Sequence, residues 1–172
     1  MNLIMAIFLF SLQISPHGEI AYGEIRFGDS YDQMLTKLDM KPILQIGSYR
    51  YGIVGRFVDE EQKTDLYGLR FSSFASYSRA EIQRFWQNLI DVISVKYGRQ
   101  KGSPFSSLFN GDGLEISHLW KLKNKRIWIG IVKTVDGYSA TLSVEDQKRM
   151  SIVLERVKKK QENDKRGASR KF

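Results

Sequence analysis

Apolar positions recur at helical spacing over residues 78–98, SRAEIQRFWQNLIDVISVKYG, and the rest of the chain is organised around this stretch. At about 100° per residue, Phe85, Leu89, Ile82, Ile93, Trp86, Tyr97 and Ile90 fall in one arc of roughly 140°. Arg84, Gln87, Asp91 and Ser94 lie opposite. Both ends are marked: Ser78 and Glu81 stand at capping-box spacing, and Gly98 follows the last turn, where a left-handed cap favours a residue without Cβ. Burying such a stripe contributes roughly 1.5–3 kcal/mol per large side chain before entropy is subtracted. The helix therefore needs a sheet to lie on.

Period-two patterns supply one. Residues 22–27 alternate weakly, and Ser30 with Gln33 then opens a short helix whose apolar side is Tyr31, Met34, Leu35 and Leu38, ended by Pro42. Over 49–58, Tyr49, Tyr51, Ile53 and Phe57 alternate with Arg50, Gly52, Val54 and Arg56; over 66–74, Tyr67, Leu69 and Phe71 alternate with Gly68, Arg70 and Ser72. The polar stretch 59–65 joins the two as a hairpin. Residues 99–113, rich in Gly and Ser, read as a surface loop. Three further strands, 114–122, 126–134 and 138–144, form a meander. A two-residue Asp136-Gly137 turn pairs Val135 with Tyr138, Ile131 with Leu142 and Ile129 with Val144. An Asn124-Lys125 turn extends the same apolar face through Leu122, Trp120 and His118. Residues 146–161 read as a helix with Met150, Val153, Leu154 and Val157 on its apolar side. The expected fold class is α+β: a single antiparallel sheet, with a long and a short helix on one face, a C-terminal helix and a disordered basic tail.

Composition narrows the chemistry. The chain has 172 residues, 42% of them hydrophobic, enough for one domain with a real core. It has no cysteine, which removes disulfides, thiol catalysis, cysteine-ligated zinc and a lipid-modified N-terminal cysteine together. The net charge is +8, of which residues 158–171 hold +5 and the first 23 residues −1, leaving +4 for the body between. Residues 3–10 are an unbroken apolar run resembling the core of an export signal, with small residues at Ala21 and Gly23 before a cut at Glu24. The competing reading is a buried first strand. The expected organisation is a signal over 1–23, one α+β domain over 24–157 and a basic tail over 158–172, with an extracytoplasmic location.

No motif for nucleotide binding, a hydrolase nucleophile, a metalloprotease pair or a calcium loop is present, and Asn110-Gly111-Asp112-Gly113 reads as a turn. His118 alternates with Ile116 and Trp120, which fits a core histidine better than a catalytic base or ligand, since no second histidine or cysteine joins it. The chain is therefore read as no enzyme, and no cofactor or metal is assigned. The strand–helix order raises the RNA-recognition fold, but the aromatics of residues 66–71 fall on the inward face, where that fold's base-stacking signature would not be.

The run Glu24-Ile25-Arg26-Phe27-Gly28-Asp29-Ser30, the helix ending Lys96-Tyr97-Gly98 and the following meander with Trp120 resemble small bacterial extracytoplasmic α+β domains. Their helix-plus-sheet build is similar to beta-lactamase-inhibitor-protein-like folds and outer-membrane-assembly lipoproteins. The resemblance covers residues 24–144 and implies a binding or assembly role; it carries over no functional residues.

If the aromatic set of the hairpin points inward, alternation sends Arg50, Arg56 and Arg70 outward, and in the meander Leu119, Lys121, Trp128 and Val132. One reading is a solvated face kept soluble by its arginines, with the helix over 150–157 folded onto Trp128. The other is a shallow site of Arg50, Arg56, Arg70, Lys121 and Trp128 for an acidic protein surface or an anionic glycan. The functional expectation is a non-catalytic extracytoplasmic binding or assembly module whose partner is another protein or an anionic envelope component. The alternative is an intracellular nucleic-acid-associated protein using the basic tail.

Overall fold

The computed structural model describes residues 19–169 apart from position 112, with side chains as far as residue 163. The apolar run over 3–10, Asp112 and the last three tail residues therefore lie outside the described residues. The elements are β1 (Ile20–Tyr22), β2 (Ile25–Arg26), α1 (Tyr31–Lys37), β3 (Ile43–Ile46), β4 (Tyr49–Asp59), β5 (Thr64–Ser72), α2 (Arg79–Tyr97), β6 (Leu114–Lys121), β7 (Lys125–Thr134), β8 (Gly137–Asp146) and α3 (Gln147–Ser169). The fold is α+β, as the patterns predict, but the single sheet becomes two. A six-stranded antiparallel sheet runs in the order β3-β4-β5-β8-β7-β6, and β1 and β2 form a separate two-stranded sheet. The expected hairpin and meander are joined by β5 pairing with β8.

One face of the large sheet carries α1, α2 and the β1–β2 hairpin. Ser30 caps α1 with a complete box, its hydroxyl accepting from the Gln33 N–H and its own N–H donating to Gln33 Oε1. The second box is only half made. Ser78 Oγ accepts from the Glu81 N–H, but the Ser78 N–H donates to Ser76 Oγ, which itself donates to Glu81 Oε2 at 2.6 Å. Gly98 ends α2 at φ 80°. Ile82, Trp86 and Leu89 of α2 join Tyr51, Ile53, Phe57, Leu69, Phe71, Trp120, Ile127, Ile129, Ile131, Leu142 and Val144 in the core. Tyr51 fixes the helix from below, donating its hydroxyl to Asn88 Oδ1 at 2.8 Å. Residues 19–22, which a cut before Glu24 would remove, belong to this layer. Ala21 is buried, Tyr22 meets Phe71 edge-on at 5.2 Å, and Lys125 donates to the Ile20 carbonyl and pairs with Glu19.

Both meander turns sit one step from their expected places. Thr134 lies opposite Gly137, Ile131 opposite Ala140 and Ile129 opposite Leu142, so the turn residues are Val135 and Asp136. Gly137, at φ 121°, is strand rather than turn: its Cα hydrogens face the Ser76 carbonyl, where a Cβ would stand 2.6 Å away. Likewise the Leu122 N–H donates to the Lys125 carbonyl, which makes Lys123 and Asn124 the turn. Each change slips the pairing by two residues. Because side chains alternate with period two, both faces keep the residues assigned to them, except that a bulge between Ile116 and His118 turns Ile116 out of the inward set and leaves it exposed.

Three stretches depart further. A bulge at Arg56/Phe57 sets Phe57 opposite Leu66 and leaves Tyr67 without a direct opposite number. Leu66 thereby takes the core position, while Tyr67 turns to the other face beneath the Arg56 guanidinium, 5.0 Å from its ring centre. The 99–113 stretch is no mere surface loop. Phe105, Leu108 and Phe109 dip into the core, with Phe105 5.3 Å from Trp86 and Phe109 4.8 Å from Tyr138. The C-terminal helix does not end near residue 161; its backbone stays helical to Ser169, including the stretch expected to be disordered.

Candidate functional site

The face away from α1 and α2 is built in rows by the strand register. One row runs Lys121, Arg126, Glu145, Gly68, Arg56; the next runs Leu119, Trp128, Ser143, Arg70, Val54. The first turns of α3 cross the end of this face against β8, β5 and β4. Arg149 ties α3 down, its Nε donating to Asp65 Oδ1 at 2.6 Å and its Nη1 to Asp146 Oδ2 at 3.1 Å. Arg156 reaches the Val58 carbonyl at the β4 end, and Arg126 Nη2 stands 3.1 Å from Met150 Sδ.

Glu145 is the centre of the two rows and is only 1% exposed. Its Oε1 accepts from Arg56 Nη1 at 3.0 Å, Trp128 Nε1 at 2.9 Å and the Ser143 hydroxyl at 3.0 Å. Its Oε2 accepts from Arg126 Nε at 3.0 Å and Nη2 at 2.6 Å. A carboxylate offers about four lone-pair positions, so these donors saturate it. Burial alone would raise the Glu145 pKa. The hydrogen bonds from Trp128 and Arg126, the Arg126 charge and the Ser143 hydroxyl outweigh burial and hold it below the usual carboxylate value.

Arg70 is left over. It lies in the row beside Glu145, its guanidinium 5.8 Å from the Trp128 ring centre. Its Nε is shut off from solvent, and among the described residues no acceptor faces it. Burial lowers the Arg70 pKa and the like charge of Arg56 lowers it further, together outweighing the opposing pull of Glu145 and Tyr67. Three guanidiniums thus surround one saturated carboxylate, and two positive charges remain in excess on this patch. A buried donor without a partner is costly in a native protein and calls for a physical reason.

The five residues singled out from sequence have different fates. Arg56 and Arg70 come together at the cluster, and Lys121 sits exposed beside Arg126 at the β6 end of the row. Arg50 is exposed too, but it stands opposite Gln45 of β3, six residues along β4 from Arg56. Trp128 is not an uncovered contact: it is 2% exposed, and its indole N–H is committed to Glu145. It is the floor under Arg70. Sequence reasoning missed Arg126, Tyr67 and Glu145. Glu145 was within reach, because carrying the outward alternation from Ser143 one step past Val144 arrives at it.

The opposite face holds a Ser–His pair that has no catalytic geometry. Ser117 sits in a bulge of β6; its hydroxyl accepts from Trp86 Nε1 at 2.8 Å and donates to the Ile129 carbonyl at 3.0 Å. With that single proton used, the 3.0 Å contact to His118 requires Nδ1–H as the donor. The imidazole therefore cannot draw a proton from this serine. It stacks on Trp120 at 5.9 Å, buried, and burial lowers its pKa. Among the described residues no group of three or more His, Asp or Glu side chains could hold a metal ion, and no helix is long and apolar enough to cross a membrane.

In comparisons with known proteins, no family model, no curated protein and no solved structure matched the chain. The likeness of residues 24–144 to extracytoplasmic α+β domains rests on those residues alone.

Proposed function

We propose that this protein is a non-catalytic binding module of the cell envelope that holds an anionic partner against the outer face of its sheet, at Arg56, Arg70 and Arg126. The observation that carries this reading is the Arg70 guanidinium, which stands over Trp128 and makes no hydrogen bond to a described residue, beside a carboxylate that two other arginines already saturate; its Nε is closed to solvent, so a partner would meet its terminal N–H groups. Arg56 and Arg126 keep about a third of their side-chain surface in solvent, so the cluster is open to a partner. The apolar run over residues 3–10 supports the envelope location, and the folded role of residues 19–22 moves any cut compatible with this fold to a point before Glu19.

The test is retention of envelope material on immobilised protein at fixed salt. Arg70→Gln should reduce retention about fivefold or more, the effect of losing roughly 1 kcal/mol at a binding centre, while Glu60→Ala in the β4–β5 turn should not. Undiminished retention by Arg70→Gln, with its melting transition intact, would remove the reading.

A further inference from the structure

We infer that the Arg56–Arg70 pair is a site for a doubly charged oxyanion, the phosphate monoester being the biological class that fits. This rests on the binding-module reading above and specifies the chemistry of the group bound.

Hydrogen-bond capacity and charge give the same answer. Val54 stands opposite Arg70 and Gly68 opposite Arg56, which makes the two arginines diagonal neighbours on one face, a relation that long side chains bridge easily. Arg56 gives Nη1 to Glu145 Oε1, and Arg70 gives nothing to any acceptor among the described residues. The free N–H groups of two adjacent guanidiniums form a fork suited to an anion with several oxygens. Tyr67, under Arg56, and Trp128, under Arg70, are flat floors that keep both guanidiniums standing in place.

Charge then separates the candidates. Among the described residues, the other charges packed around the pair are already balanced or lie in solvent. Arg126 is bonded to Glu145, Arg149 is held between Asp65 and Asp146, and Glu60 is exposed in the turn beyond Tyr67. The excess of two positive charges is met by one dianion. A carboxylate or a phosphodiester brings a single charge, whereas a phosphate monoester carries about −1.5 to −2 near neutral pH. The exposed Val54 next to Arg70 offers no competing donor or acceptor side chain.

The experiment is an NMR titration of the arginine Nε–H signals in the full-length protein, with ionic strength matched by potassium chloride. Inorganic phosphate and sulfate should shift the Arg70 and Arg56 signals saturably, and acetate should not. Arg70→Gln should weaken phosphate binding about tenfold, the cost of one charge-assisted hydrogen-bond pair, while Arg84→Gln on the exposed side of α2 should leave it unchanged. Glycerol 3-phosphate and vesicles of phosphatidic acid in phosphatidylcholine then distinguish a soluble ester from a lipid headgroup. Binding of neither overturns the assignment to monoesters. An acetate shift as large as that of phosphate, or no saturable shift at all, overturns the dianion site. Because envelope retention is read separately, a lost dianion site with retention still dependent on Arg70 would leave the binding-module reading standing.

Discussion

The two faces of the six-stranded sheet bury tryptophans in opposite ways. Under α2, Trp86 donates to Ser117 and Trp120 to the Gly98 carbonyl, neutral partners set in a continuous apolar core. On the other face Trp128 donates to an ionised carboxylate, and its neighbours are arginines. On the helix side the one buried side-chain atom without a match among the described residues is the neutral Ser94 hydroxyl of α2. The outer face holds a network whose donors outnumber its acceptors. A face that only packs can be completed by the chain itself. An excess of donors and of positive charge is completed from outside.

The largest effect is expected where a charge is forced into the apolar face. Trp86→Asp puts an unpaired carboxylate among Phe105, His118 and Ser117, and removes about 3–5 kcal/mol, enough to abolish cooperative thermal unfolding in a domain of ordinary stability. Calorimetry checks this, and a preserved transition would contradict the place given to α2.

Glu145→Ala comes next. It leaves the Trp128 N–H and two guanidiniums without their acceptor, but the arginines are a third exposed and can turn to water, so the expected cost is about 2–3 kcal/mol rather than the full penalty of a broken buried pair. Because the folded Glu145 pKa lies below its ordinary 4.5, the stabilisation is fully present above that value and is lost as pH falls through the folded value. The stability gap between wild type and Glu145→Gln should therefore narrow only below about pH 4.5, as followed by denaturant titration at several pH values. A gap already closing at pH 6 would mean that the carboxylate is not held as described.

A smaller pH effect belongs to the helix face. His118 is buried and neutral, with its pKa below the ordinary 6.5, so its contribution is present above pH 6.5 and is lost as pH falls through the folded value. The gap between wild type and His118→Gln should shrink in that window. NMR titration of the imidazole reads the same property directly, and a pKa at or above 6.5 would contradict the buried, Nδ1-protonated ring.

The helix face was the more legible of the two in the sequence, and the reason is periodicity. The α2 stripe, the Ser30 box and Gly98 are local signals, written within one or two turns of chain. The meander faces largely survived turns displaced by one residue, because the resulting two-residue slip in pairing leaves parity unchanged. The outer face depends on what periodicity does not encode. Tyr67 reached it through a bulge, and Trp128 lost its exposure to residues far along the chain. Glu145 found Arg56 across 89 positions of sequence. Strand β3 was missed altogether, since Ile43-Leu44-Gln45-Ile46 is too short after Pro42 to show alternation, and only its pairing with β4 defines it.

Arg70 against Arg126 is the most direct comparison of a donor with no acceptor among the described residues and one with two hydrogen bonds to the same carboxylate. Thermal unfolding of Arg70→Met and Arg126→Met, measured side by side at pH 7, tests whether the outer face is incomplete at that one residue. Arg126→Met should cost about 1.5–3 kcal/mol, the usual worth of hydrogen bonds to a charged group. Arg70→Met should melt close to wild type, because it removes a half-buried like charge and no hydrogen bond to a described residue, which offsets the lost contact with the Trp128 ring and the attraction of Glu145. If Arg70→Met costs as much as Arg126→Met, Arg70 has a partner within the folded chain and the outer face is already complete.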